Sequence, residues 1–370
     1  MSDKNGYEFF MEKEMMEQPE VLRETLNTRV KDGLPDFSGE EIPDSFFAGV
    51  DRICIIGCGT AMHAGLVCRE LMQKFAKVKT DVEIASEFPA SFPLLDEKSL
   101  VIAISQSGET TDTLEALEFA KAFGVKSLGV LNVKDSTIGS KCDHVILTNA
   151  GPEKSVASTK AYTAQLAVAY LLAAKMAQVK ELFSPEETRS FIAELLKTPE
   201  GVAEILTRRE GIQDAADSIL EAKDLFMIGR GLDHLVLREG TLKLKETSYI
   251  HAEAYPSGEI KHGTVALLTD GTPVISLVTQ DAVKERSFRN IAEMAEKVPN
   301  VIVFVTEKLL AEAKEKIGKD ACRYVTIPTY SDIYMPIVAV IALQLMAFYV
   351  SRDKGLDVDS PRNLTKVVMG

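Results

Sequence analysis

Lys243 and Glu246 stand three positions apart in GTLKLKETSYIHAEAYPSGEIKHG (240–263), a stretch dense in ionisable residues within an otherwise apolar region. At helical spacing the two side chains share one face. A lysine that touches a carbonyl and a carboxylate that shuttles a proton are the parts of an aldose–ketose isomerase. His262 adds a ring whose ordinary pKa lies near neutrality, which suits the opening of a sugar ring. A solvated helix face with a surface ion pair uses the same Lys/Glu spacing. Glu253, Glu259, Lys261 and His262 crowd one loop and weigh toward a site.

SQSGETTDT (105–113) follows an apolar run and opens the helical stretch TLEALEFAKAF. Ser105, Gln106, Ser107, Thr110 and Thr111 supply short donors, and Gly108 lets the backbone come close. Free N–H groups and the positive end of a helix dipole make such a loop an anion site. No lysine lies in the loop, so it is not a nucleotide-type P-loop, and a compact monophosphate fits it. A well-capped helix is the plain alternative. VASTK (156–160) adds a second hydroxyl cluster before a helix. Two G-x-G turns, GCGTAMHAG and GRGLDH, carry Met62 and His234 where a dinucleotide fingerprint needs its third glycine, so no NAD site is expected.

These groups need a frame, and the sequence repeats one. DRICIIGCGT (51–60) and DLFMIGRGL (224–232) are apolar runs ending in G-x-G, each followed by a helical stretch, 61–74 and 234–249. SLVIAIS (99–105) then matches TPVISLV (272–278), LGVLNV (128–133) matches NVIVFV (300–305), and HVILT (144–148) matches RYVTIP (323–328). Long apolar helices close both copies, 163–179 and 335–349. Continuous apolar strands alternating with helices predict an α/β chain of two tandem doubly wound parallel-sheet domains. In the second copy the loop matching SQSGET reads VTQDAV, and Asp281 there would repel an anion. The expected boundaries are a helical segment and connector over 1–44, a first domain over 45–190, a second over 191–355 and a polar tail over 356–370. Pro19 is expected to divide the N-terminal helical stretch in two.

Composition narrows the partners. Lys plus Arg total 42 against 55 Asp plus Glu, a formal net charge of −13. That argues against a sequence-independent nucleic-acid binder, which needs a basic face, and against attachment to an anionic membrane. The five cysteines form no C-x-x-C pair, several lie in apolar runs, and buried free thiols in a reducing cytoplasm are expected. The five histidines are dispersed, so no metal site follows from spacing.

With these motifs in order, the sequence resembles the isomerase half of glucosamine-6-phosphate synthase, a pair of sugar isomerase (SIS) domains. The resemblance runs from FFMEKEMMEQP through CGT, EIASEF, SQSGET, TNAG, VASTK and KLKE-x-SYIHAEAY-x-x-GE-x-KHG to DVDSPRNLTK. It implies that Ser105, Gln106, Ser107 and Thr110 hold the sugar phosphate and that Thr60, Val156 and Ser158 line the sugar. It implies that Glu246, with Lys243 beside it, moves the proton between C1 and C2. His262 would open the ring from a neighbouring subunit of a homodimer, and Lys366 would meet the sugar carbonyl. Ala61 replaces a serine that helps bind phosphate in the family, and Thr365 replaces an alanine. The complete synthase opens with a glutaminase whose nucleophilic cysteine follows the initiating methionine. Here Ser2 stands there, so glutamine is not expected as this chain's nitrogen donor. The expectation is therefore an ammonia-dependent or deaminating enzyme of amino-sugar phosphates, with no metal or organic cofactor. A deglycase of phosphorylated fructosamines is the rival, and a non-catalytic sugar-phosphate sensor is a third reading.

Overall fold

The computed structural model of the chain describes residues 4–91 and 93–367. Its apolar runs form two parallel five-stranded sheets. The first contains β1 (Arg52–Gly57), β2 (Lys79–Ile84), β3 (Ser99–Ser105), β4 (Lys126–Leu131) and β5 (His144–Leu147) in the order β2-β1-β3-β4-β5. The second contains β6 (Asp224–Gly229), β7 (His251–Pro256), β8 (Val274–Val278), β9 (Val301–Thr306) and β10 (Arg323–Ile327) in the order β7-β6-β8-β9-β10. The two orders are the same doubly wound topology, so the sequence repeat is a repeat of fold.

Two strands escape the apolar pattern, and both lie at an edge. KTDVEI (β2) and HAEAYP (β7) alternate small or apolar with polar residues, and each is partly exposed along its length. An edge strand has one open flank, so it has no need of the continuous apolar run of a central strand such as the fully buried β3. Glu253 therefore stands on a strand and not in a loop, while Glu259, Lys261 and His262 occupy a 3₁₀ turn, Glu259–His262.

The chain divides into two compact units. One comprises Glu17–Glu153, Ser158–Pro199 and Thr365–Gly370 and holds the first sheet; the other comprises Met1–Met16, Lys154–Ala157 and Glu200–Leu364 and holds the second. In the first-sheet unit, α2 (Gln18–Asn27) and α3 (Gly59–Leu71) pack on α5 (Lys160–Val179), a helix buried on all sides. The connector at 32–33 turns a short antiparallel ribbon, with Asp32 and Gly33 both at positive φ. That pair of dihedral signs is the two-residue hairpin that Asp-Gly favours.

In the second-sheet unit, α6 (Leu232–Ser248) packs along α8 (Met335–Asp353). Gly240 permits the contact, since a Cβ there would lie 2.7 Å from Leu343 Cδ1. The stretch Asp332–Asp353 is long and apolar enough to cross a membrane, but 94% of its 18-residue apolar window is buried inside the protein, as a core helix would be. α1 (Phe10–Met16) belongs to this unit, and the chain breaks helix at Glu17 with Pro19 inside the first turn of α2. Both oxygens of Asp359 accept from the Phe10 and Met11 amides at 2.9 Å, so the polar tail caps the N-terminal helix. Val358 is fully buried beside it. All five cysteines are free, but only Cys54 and Cys68 are buried; Cys58, Cys142 and Cys322 are half-buried.

Candidate active site

In the first-sheet unit the carboxyl ends of the paired strands β1 and β3 bring Thr60 and the 105–110 loop to one sheet edge. Ser105 ends β3; its Oγ accepts from the Gly108 amide at 3.0 Å and lies 3.2 Å from Thr110 Oγ1. Ser107 Oγ accepts from the Glu109 amide at 3.1 Å, while Gln106 is half-buried. Glu109 is drawn aside: its oxygens accept from the Thr137 amide at 2.8 Å and hydroxyl at 2.7 Å, and these bonds hold its carboxyl below the ordinary range. Thr110 precedes α4 (Thr111–Lys121) with extended backbone, yet its hydroxyl makes no bond to the first-turn amides. Elsewhere in the same unit Ser136 and Ser184 do cap their helices in the usual way. No Thr110 cap bond therefore competes at the positive end of α4, where a helix terminus suits an anion.

Gly108 makes the loop possible. Its φ is +68°, and a Cβ there would lie 2.1 Å from Ser136 Oγ. Gly108→Ala is expected to weaken anion binding by the loop at least about tenfold, or ~1.4 kcal/mol, by titration calorimetry with inorganic phosphate. Gly124→Ala is the control, because Gly124 shares the positive φ and meets nothing within 4 Å. Equal affinities in the two variants would remove the loop from the site.

The same unit holds a second cluster around Glu153, a buried carboxylate that spacing alone did not single out. Its Oε2 accepts from Ser158 Oγ at 2.9 Å and Lys366 Nζ at 2.6 Å; its Oε1 accepts from the Thr159 amide at 2.9 Å and the Ala161 amide at 3.1 Å. Glu153 therefore caps α5 and ties down both VASTK and the tail lysine. Burial alone would raise its carboxyl; the Lys366 charge and these hydrogen bonds outweigh burial and leave it lowered. Thr365 is exposed, and its hydroxyl donates to the Val367 carbonyl at 3.0 Å.

The second-sheet unit carries Val156, Lys243, Glu246 and His262. Lys243 is fully buried inside α6, its ammonium 3.3 Å from Glu239 Oε1 and 2.5 Å from Glu246 Oε2. Burial would lower this lysine, but the two carboxylates more than offset it and hold it above its ordinary value. Neither the surface ion pair nor a lysine free to meet a carbonyl survives this geometry: Lys243 has no exposed side-chain area, whereas Glu246 keeps a fifth of its own. The lysine holds the glutamate in place through this contact. His262 is exposed on the 3₁₀ turn, just before Gly263 at φ +144°. Val156 is half-buried, and its amide donates to the Asp359 carbonyl at 3.0 Å. Glu14, buried on α1, accepts from the amides of Lys154 and Ser155 and so fixes the start of the VASTK segment. Among the described residues no three His, Cys, Asp or Glu side chains group as metal ligands.

The SIS domain family profile matches residues 46–175 and 218–351, which contain both sheets. The glutamine–fructose-6-phosphate aminotransferase (isomerizing) of Clostridium acetobutylicum is 42% identical over 99% of the chain. The chain spans 60% of that relative's length. The C-terminal domain of glucosamine-fructose-6-phosphate aminotransferase from Francisella tularensis superposes with a TM-score of 0.92 at 34% identity, covering 97% of this chain and 100% of that one. Glucosamine-6-phosphate deaminase from Thermotoga maritima shares the fold, with a TM-score of 0.70 at 19% identity over 97% of this chain and 99% of that one.

Proposed function

The chain belongs to the SIS domain family, and from that membership we propose that it interconverts fructose 6-phosphate plus ammonia with glucosamine 6-phosphate. The observation that supports this reading most is the burial of Lys243 between Glu239 and Glu246, which sets one mostly buried carboxylate, with a fifth of its side chain exposed, beside a fixed positive charge. In the synthetic direction ammonia adds to the C2 carbonyl of the opened sugar and water leaves, giving an imine. Glu246 takes a proton from C1 and returns it to C2, while the C1 hydroxyl gives up its proton and the imine nitrogen gains one, which leaves an aldehyde at C1 and an amine at C2. Ser105, Gln106, Ser107 and Thr110 hold the phosphate, with Thr60, Val156 and Ser158 along the sugar. Lys366, presented by Glu153, faces the sugar carbonyl.

His262 opens the ring. It stands exposed on a short turn of its own unit, and in our reading it serves the site of a neighbouring copy in a homodimer. Glu246→Gln is expected to bind sugar phosphate and to lose about 10²–10⁴-fold in rate, read by mass spectrometry of products from glucosamine 6-phosphate with and without ammonium. Mixing it with His262→Gln, also inactive, should restore part of the activity, because one shared site of the mixed dimer is intact. Full activity of Glu246→Gln removes the proton-transfer role, and no recovery on mixing removes the shared site. Conversion of fructoselysine 6-phosphate in place of glucosamine 6-phosphate would make the chain a deglycase.

A further inference from the structure

Cations gather at the carboxyl edge of the second sheet, away from the Lys243 cluster. Arg230 lies between the two glycines of the turn that leaves β6, and α7 (Lys284–Ala295) carries Arg286 and Arg289 one turn apart. With Lys261, Asn290 and Glu293 they line a cavity of about 330 Å³. Glu293 is engaged by Lys261 in an ion pair, whose hydrogen bond holds its carboxyl low. Among the described residues no carboxylate lies within ion-pair distance of the three arginines. In a chain of net charge −13, such a cluster is not a by-product of composition.

The geometry holds Arg230 in place. Its Nη2 donates to Asn290 Oδ1 at 2.9 Å, and the same oxygen accepts from Ser257 Oγ at 3.1 Å, so the amide cannot turn away. Gly258 leaves room for the guanidinium, since a Cβ there would lie 2.8 Å from Nη2. Arg230 Nε is buried and has no acceptor. A buried donor left unpaired is destabilising, and so is a guanidinium facing two like charges. Burial first, then Arg286 and Arg289, push Arg230 below its ordinary value. An anion seated in the cavity would relieve both.

We propose that this cavity is a second anion site, built to take a phosphoryl group between Arg230, Arg286 and Arg289. Three guanidinium forks arriving from two elements match the several oxygens of a tetrahedral dianion, whereas a single carboxylate is saturated by one fork. The sequence leaves the second copy without an anion loop because Asp281 occupies the position. The structure pairs Asp281 with Lys284 and Lys308, and places the arginines that lack an ion-pair partner on the β6 turn and α7 instead. This site does not rest on the proposed sugar chemistry.

The test is phosphate binding by the full chain, measured by calorimetry with inorganic phosphate at ionic strength held constant with chloride. Arg286→Gln/Arg289→Gln replaces two exposed side chains, so the fold is retained. The double variant should lose one phosphate equivalent per chain, or bind it at least tenfold more weakly, whatever number the wild type binds. Ser105→Ala/Thr110→Val should leave that equivalent in place, which separates this site from the 105–110 loop. Displacement of phosphate by glucosamine 6-phosphate at this site would identify a phosphate ester as the ligand, and failure to displace it would identify free phosphate. Unchanged stoichiometry and affinity in Arg286→Gln/Arg289→Gln would overturn the proposal. So would citrate outcompeting phosphate there, which would make the site one for carboxylates.

Discussion

Lys243→Met should lower the stability of the protein by roughly 3–5 kcal/mol, the range for breaking a buried ion pair by removing one partner. Methionine fills the lysine's volume, so the loss is electrostatic and not a cavity. Lys243 and Glu239 have no exposed side-chain area, and Glu246 has little, so the two carboxylates left behind cannot turn to water. The expected readout is a fall in the midpoint of thermal unfolding at neutral pH. Glu239→Gln in the Lys243→Met background should recover part of it, because one of the two facing charges is gone. The same cycle separates structure from chemistry. If Lys243 acts only by holding Glu246, the double variant regains stability before it regains rate. A midpoint unchanged in Lys243→Met would mean that the triad is not the buried unit described here.

What the sequence shows, and what it hides, follows from how far apart the interacting residues lie. The central strands are legible because a strand covered on both faces must be apolar throughout, as SLVIAIS is. The edge strands β2 and β7 are not, because one open flank relaxes that demand. SQSGET is legible as a loop after a buried strand and before a helix, since all its parts are consecutive. Glu153 is not legible as the anchor of the tail, because Lys366 comes from the far end of the chain. Glu14 and Ser155 are hidden for the same reason, as is the capping of α1 by Asp359. The Lys243–Glu246 spacing is visible, but charged residues are almost never fully buried. Only Glu239, one turn earlier on the helix, shows why this lysine is.

The second large effect is expected at Glu153. Glu153→Ala strands two amides at the start of α5 and removes the carboxylate that Ser158 and Lys366 share. Loss of a helix cap amounts to about 1 kcal/mol, and breaking a buried ion pair to roughly 3–5 kcal/mol. Lys366 keeps some exposure and can turn to water, so the pair contributes at the low end of that range. The pH dependence fixes the sign. Burial opposes ionisation of Glu153, but Lys366 and the hydrogen bonds prevail, so the folded carboxyl titrates below its unfolded value. Its contribution is therefore complete above the unfolded pKa of about 4.3 and is lost as the pH falls through the lower folded value. The gap in unfolding midpoint between wild type and Glu153→Ala should be widest at neutral pH and should narrow on acidification below about pH 4. Lys366→Met removes the leading charge that opposes burial, so the folded carboxyl should titrate higher and acid sensitivity should begin at a higher pH. A gap that stays constant down to acid pH would show that Glu153 acts by packing alone, and that nothing electrostatic ties the tail lysine to VASTK.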